Sequence, residues 1–189
     1  MNHSMIDLET LSTENNAAVI SIGVAIFNDS EVIDSAGWAI SPDYWHGHIS
    51  GSTVKFWAGA ECDGARDFSF GGVMTDFGAA FQLKTFLAKH DAGTMWCNDP
   101  HFDYTILLAW WNRIGKERVK GQLQPWPGNF PFTYKQPRSY RTIVAEAERL
   151  GHEVKSARGI FVAHDPVEDA VSQARVVIEA RKLIGCGAR

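Results

Sequence analysis

AAVISIGVAIF (17–27), the three residues NDS (28–30), and EVIDSAGWAI (31–40) follow one another without interruption. The first run is apolar and rich in β-branched residues, which reads as a buried strand. NDS is turn chemistry, so 31–40 reads as the returning strand of a hairpin. Working outward, residues 3–9 read as a short strand, SPDYWHGHISGS (41–52) as loop and TVKFWAG (53–59) as a short helix. The glycine-rich GARDFSFGG (64–72) reads as a connecting loop. TDFGAAFQLKTFLAKH (75–90) carries Phe77, Ala80, Phe81, Leu83, Leu87 and Ala88 near helical spacing. GTMWCN (93–98) reads as a short strand with a turn, and 102–115 as a helix that Gly115 stops. The proline-rich stretch 121–138 reads as a long irregular segment. Helices follow at 139–150, ending at Gly151, and at 166–184, ending at Gly185. A hairpin followed by alternating helices and a strand predicts an α/β fold with a sheet of mixed direction, in one domain over residues 1–189.

The last helix opens with HDPVEDA (164–170). Asp165 fits an N-cap, Pro166 the first helical position, and Glu168 the second half of a capping box. Capping leaves His164 and Asp169 without a role. Elsewhere, Asp7-Leu8-Glu9 places two carboxylates at i and i+2, on one face of a strand. Two such groups repel unless a proton or cation lies between them, although a solvated strand face is the better explanation of an isolated DxE. Asn98 and Asp99 end a strand, and Phe102 and Asp103 begin a helix. Asp103 and Asp169 are both acids in a first helical turn, where the helix dipole favours them. Each piece is ordinary alone. Together they put oxygen ligands at the element ends where active sites of open α/β sheets lie. Oxygen-only ligation suits Mg²⁺ or Mn²⁺ rather than zinc, and His164 beside it could act as a general base.

Composition is compatible with this. The chain has 45% hydrophobic and 21% charged residues, ordinary for a globular protein. Its net charge of -4 argues against a protein that coats nucleic acid generally. Setting aside Asp7, Glu9, Asp103 and Asp169 leaves 18 acids against 18 bases. Cys62, Cys97 and Cys186 show no CxxC or Cys/His spacing, which points away from structural zinc and towards reduced thiols. MNHSMIDLET lacks the basic and apolar regions of a signal peptide, and no run of about 18 apolar residues exists, so a cytoplasmic chain without membrane contact is expected.

The ordered set Asp7-x-Glu9, Asn98…Phe102-Asp103 and His164…Asp169 resembles the DEDDh group of 3′→5′ exonucleases, whose fold is RNase H-like (DnaQ-type). ISIG (20–23) is similar to that family's second strand. TVKFW (53–57), the Ala65-Arg66 pair and Arg138-Ser139-Tyr140-Arg141-Thr142-Ile143 resemble a subgroup of small bacterial and phage enzymes. That subgroup includes DexA-type exodeoxyribonucleases and a mycobacterial RNase-like branch. Two departures stand out: Asp99-Pro100-His101 replaces a glycine-rich turn, and Pro166 stands where another residue is common.

The resemblance implies an RNase H-like mixed β-sheet flanked by helices and a metal-dependent hydrolase acting at a free 3′ end of single-stranded nucleic acid. It implies two divalent ions, Mg²⁺ or Mn²⁺. Asp7 would bridge them, Glu9 and Asp169 would complete one shell, and Asp103 would hold the other. His164 would take a proton from the attacking water, Glu9 would reach the terminal 3′-hydroxyl, and 5′-mononucleotides would be released. Candidate substrate contacts are Thr10, Leu11, Asn98, Phe102, Arg138 and Arg141, with Trp45, Phe102, Trp126 and Tyr134 as candidate stacking rings. The phage-type resemblance leans to DNA, with an exoribonuclease as the alternative. A homodimer is left open. The rivals are an inactive nucleic-acid-binding module, which digestion with metal would reject, and a small-molecule phosphatase, which would release inorganic phosphate.

Overall fold

The computed structural model describes residues 1–114 and 128–186. Five strands form one sheet: β1 (Asn2–Thr10), β2 (Val19–Phe27), β3 (Val32–Ala39), β4 (Ala92–Cys97) and β5 (Pro137–Ser139), in the order β3-β2-β1-β4-β5. The β1–β2 and β2–β3 pairs are antiparallel, and β1–β4 and β4–β5 are parallel. This is the expected sheet of mixed direction. The helices among the described residues are α1 (Gly51–Trp57), α2 (Asp63–Phe70), α3 (Asp76–Lys89), α4 (Asp103–Ile114), α5 (Tyr140–Arg149) and α6 (Pro166–Cys186).

The pleat sorts the strand residues into two layers. Ile6, Leu8, Ile22, Val24, Ile26, Met95 and Cys97 face one core, with α3 and α4 residues such as Leu83 and Trp110. Met5, Ala25, Phe27 and Trp96 face the other, with Val144 of α5 and Ala170, Ala174 and Val177 of α6. Covering both faces explains why β2 is buried at every position, an unbroken apolar run without polar alternation.

Three sequence expectations change, the smallest being that α6 runs through Gly185, its expected stop, to Cys186. Residues 64–72 are not a loop: α2 spans Asp63–Phe70, without a side-chain N-cap. Its glycines hide the signal, but Ala65 and Ser69, one turn apart, are both buried. Ser69 Oγ lies 2.8 Å from Ser21 Oγ on β2, so tertiary packing sustains a helix that propensity does not specify. The last two residues of the stretch 121–138 also belong to a strand: Pro137–Ser139 adds an edge to β4, with Met95 opposite Pro137. Proline is tolerated at an edge, where one side of the ladder is unpaired. Gly115 and Trp126 lie outside the described residues.

Candidate active site

β1 runs through the middle of the sheet, and its C-terminal half carries Asp7 and Glu9 on the face that Met5 shares with α6. Opposite them on β2 stand Gly23 and Ser21. Gly23 in turn pairs with Gly37 on β3. These positions leave a shallow trough in the sheet surface, and the first turn of α6 drops into it. A Cβ built at Gly23 would lie 1.9 Å from the Pro166 carbonyl oxygen, and one at Gly37 would lie 2.3 Å from Val167 Cγ2. That close approach brings Asp169 and Gln173, one turn apart on α6, over Asp7.

Asp103 arrives from the other side of the sheet, in the first turn of α4. The Asp99 N–H donates to Asp103 Oδ2 at 3.1 Å, and Asp99 Oδ1 accepts from the His101 N–H at 2.9 Å. The Asp99-Pro100-His101 departure therefore makes an Asx turn that supports Asp103.

His164 closes the cleft. It sits just before α6 in the left-handed region, with φ 67°. Its N–H donates to Asp169 Oδ2 at 2.7 Å, and its ring lies edge-on to Phe56, centroids 4.9 Å apart. Asp165 Oδ1 accepts from the Val167 and Glu168 N–H groups, as an N-cap does. Glu168 does not complete the capping box; its Oε2 accepts instead from the Val162 N–H. The carboxylates of Glu168 and Asp169 thus tie the loop before α6 to its first turn. Phe56 and Trp57 form the facing wall. Trp57 Nε1 donates to the Thr10 carbonyl at 3.0 Å, and Arg66 braces α1 by donating to the carbonyls of Trp57 and Gly59.

The cleft has a volume of about 590 Å³ and is lined by Asp7, Glu9, Asp103, His164 and Asp169 together. Thr10, Asn98 and Phe102 also line it. Asn98, Phe102 and Arg141 border an adjoining recess, where Arg141 Nε donates to Asn98 Oδ1 at 3.2 Å. Leu11 is buried in a third apolar cluster with Trp57 and Ala65, so its side chain does not reach the cleft. Arg138 is turned away: its Nη1 donates to the carbonyls of Lys135 and Pro137. Trp45 is tied to the Ile40 carbonyl and packs on Phe70, and Tyr134 is exposed without lining the cleft.

Gln173 was not anticipated. Its Nε2 donates to Asp7 Oδ1 at 2.9 Å, while its buried Oε1 has no partner among the described residues. The signal was present in the i, i+4 spacing from Asp169, which puts both on one helix face. Arg158 and Phe161, in the loop before His164, also line the cleft.

The electrostatics are those of a crowded anionic pocket. Burial, and then the neighbouring Asp103 and Asp169, pushes the Asp7 carboxyl well above the usual carboxylate range. Burial and Asp7 do the same to Glu9. Asp103 is pushed up to about 7, chiefly by burial, against the N–H groups of Asp99 and Leu8 that favour its ionised form. Burial also raises Asp169, against the His164 N–H. Such a group of carboxylates is stabilised by gaining cations. One ligand atom each from Glu9, His164 and Asp169 lies within 4.8 Å of the others. The oxygen-dominated donor set fits a hard divalent ion. Cys62 and Cys97 are free and buried, and no helix among the described residues is long and apolar enough to cross a membrane.

A family model for the Rv2179c-like 3′-5′ exoribonuclease domain matches residues 2–180. The chain belongs to this family. It is a 3′-5′ exonuclease of the DEDDh type on an RNase H-like fold. The nuclease domain of 3′hExo, a DEDDh member solved with rAMP, is 17% identical with a TM-score of 0.60, covering 100% of this chain and 94% of that one. Exonuclease I from Methylocaldum szegediense is 11% identical with a TM-score of 0.64; the match covers 96% of this chain but 40% of that one. A product-bound exonuclease I aligns with a TM-score of 0.58 at 11% identity, over 98% of this chain and 43% of that one. At these identities the likeness is one of fold. No curated protein matches in sequence.

Proposed function

We propose that this exonuclease removes 5′-mononucleotides from the free 3′ end of single-stranded RNA, with Asp7, Glu9, Asp103, Asp169 and His164 as its working residues. The observation that carries the reading is the convergence of these five side chains, from β1, α4 and the start of α6, on one cleft. RNA is preferred here over the DNA that the phage-type resemblance favoured, because the family is described by exoribonuclease activity. The hydroxyls of Thr13, Ser52 and Thr53 on the cleft wall are groups able to pair with a ribose 2′-hydroxyl.

Asp7, Glu9 and Asp169 would hold one divalent ion, Mg²⁺ or Mn²⁺, and Asp7 and Asp103 a second. When bound, such a pair supplies positive charge at both the attacking and leaving oxygens of an in-line displacement at phosphorus. An unprotonated ring nitrogen of His164 accepts the proton of the attacking water. The Phe56 ring packs edge-on against the imidazole and limits its rotation. Gln173 keeps Asp7 from rotating away by holding Oδ1. Phe102, at the junction of the cleft and its side recess, offers a face on which the terminal base can stack.

The test is a side-by-side digestion of 5′-labelled single-stranded RNA and DNA with Mg²⁺ or Mn²⁺. A ladder that shortens from the 3′ end, faster for RNA, with 5′-mononucleotides as products supports the proposal. Equal or faster loss of DNA overturns the RNA preference, and free inorganic phosphate overturns the exonuclease chemistry.

A further inference from the structure

Arg158 is the only lysine or arginine among the described residues that line the cleft, and it faces a pocket holding four carboxylates. It nevertheless makes no ion pair with a described residue. Its Nε and Nη2 both donate to the Tyr140 hydroxyl, at 3.2 and 2.9 Å. Its guanidinium lies 5.6 Å from the Tyr140 ring centroid and 5.7 Å from that of Phe161. Tyr140 is buried at the start of α5, a fixed post. The arginine backbone is fixed as well. It ends the short 3-10 turn Lys155–Arg158, Gly159 reverses the chain at φ 75°, and Arg175 Nη1 donates to the Arg158 carbonyl at 3.5 Å.

Two of the three guanidinium nitrogens are thus spent on a neutral oxygen, and the Tyr140 and Phe161 rings flank the group. Nη1 is left without a protein acceptor among the described residues. An arginine meant to neutralise the carboxylates would fork onto one of them. This one is instead held beside them, favouring the ionised form of Asp169 from a distance but hydrogen-bonded to none of the four. An incoming strand brings a phosphate at each linkage, and a planar donor of fixed orientation is suited to a phosphate oxygen. The same loop carries His164 six residues later, so one segment delivers both the cation and the imidazole.

We propose that Arg158 binds a backbone phosphate of the substrate strand through Nη1, with Tyr140 as its positioning residue. This rests on the exonuclease reading above. It does not depend on the choice of RNA, because a phosphate contact is blind to the 2′-hydroxyl.

The test is steady-state digestion of a labelled single strand by the full chain with Mn²⁺, over a range of salt. Arg158→Gln is expected to raise KM roughly 10- to 100-fold with kcat changed little. The slope of log KM against log salt should fall by about 0.7, one phosphate contact on a single strand. Arg158→Lys should recover part of the loss, since a point charge lacks the fork. Tyr140→Phe should raise KM severalfold in the native background and leave KM unchanged in Arg158→Gln. Should Arg158→Gln fail to fold, a single uncharged methylphosphonate, moved through the last three linkages of the strand, reads the same contact on the unaltered protein. One position should weaken binding by the factor expected for Arg158→Gln. An unchanged KM and salt slope, a loss confined to kcat, or indifference to every methylphosphonate overturns the proposal. If the native enzyme degrades DNA and not RNA, the RNA reading fails while the Arg158 comparison runs unchanged on DNA.

Discussion

Gly23 on β2 lies directly beneath the Pro166 carbonyl: a methyl carbon at Gly23 would be 1.9 Å from that oxygen and 2.6 Å from the Val167 nitrogen. The obstacle is helix backbone, which cannot rotate aside as a side chain would. The absence of a side chain at residue 23 therefore sets how closely α6, and with it Asp169 and His164, approaches Asp7.

Gly23→Ala should displace the start of α6. Overpacking of this kind costs about 3 kcal/mol, or a fall in Tm of roughly 6–12 °C for a chain of this size. Activity measured well below the new Tm should fall further than the unfolded fraction explains, because Asp169 moves relative to Asp7. A variant with native Tm and native rate would show that the contact is soft.

Gln173→Leu removes the hydrogen bond to Asp7 and the unpartnered buried Oε1 together, while keeping the volume. Because the deletion also removes a desolvated acceptor, Tm should change by only a few degrees. Activity should fall about tenfold, and half-maximal rate should require more metal, since Asp7 is no longer held. Native metal dependence in a kinetic titration would count against the role given to Gln173.

The carboxylates make the metal-free fold lose stability as pH rises from acid to neutral. Asp103 has its proton affinity raised in the folded chain, from 3.8 to about 7. Between these values the folded state binds more protons than the unfolded one, so stability falls as pH rises and is greatest at the acid end. The slope is on the order of 1 kcal/mol per pH unit. Asp7, Glu9 and Asp169 are shifted in the same direction and add to it. Melting curves of the chelated protein should show Tm declining from about pH 5 to pH 7, less steeply in Asp103→Asn. Millimolar Mg²⁺ or Mn²⁺ should restore Tm more at pH 7 than at pH 5. A chelated protein that gains stability over this window would contradict the assignment.

His164 has a positive φ, a conformation that Asn tolerates better than Ala. His164→Asn therefore removes the proposed base with little added backbone strain. Its rate should fall roughly 10²- to 10⁴-fold while Mn²⁺ affinity stays near native. A parallel loss of metal affinity would make His164 a ligand, an arrangement its distance to Glu9 and Asp169 permits.

The strands and the motif residues were readable because local signals agree with the fold. The apolar run of β2 and the turn at 28–30 specify the hairpin without outside help. Asp7 and Glu9 share a face by the period of a strand alone. What escaped depends on contacts between distant segments. Helix α2 is held by Ser21 against Ser69, and β5 exists because β4 offers an open edge. Gln173 looks like any polar residue in an amphipathic helix until the trough at Gly23 and Gly37 lowers α6 onto Asp7. Arg158 draws no notice in KSARG; its meaning comes from Tyr140, 18 positions earlier.

The most direct test of the central claim, that carboxylates from β1, α4 and α6 form one cation site, is Mn²⁺ binding followed by electron paramagnetic resonance on the native chain and on Asp7→Asn. The native chain should take up two ions and Asp7→Asn should lose both, since Asp7 is common to both proposed shells. Unchanged binding in Asp7→Asn, at a fold verified by its melting curve, would contradict the account.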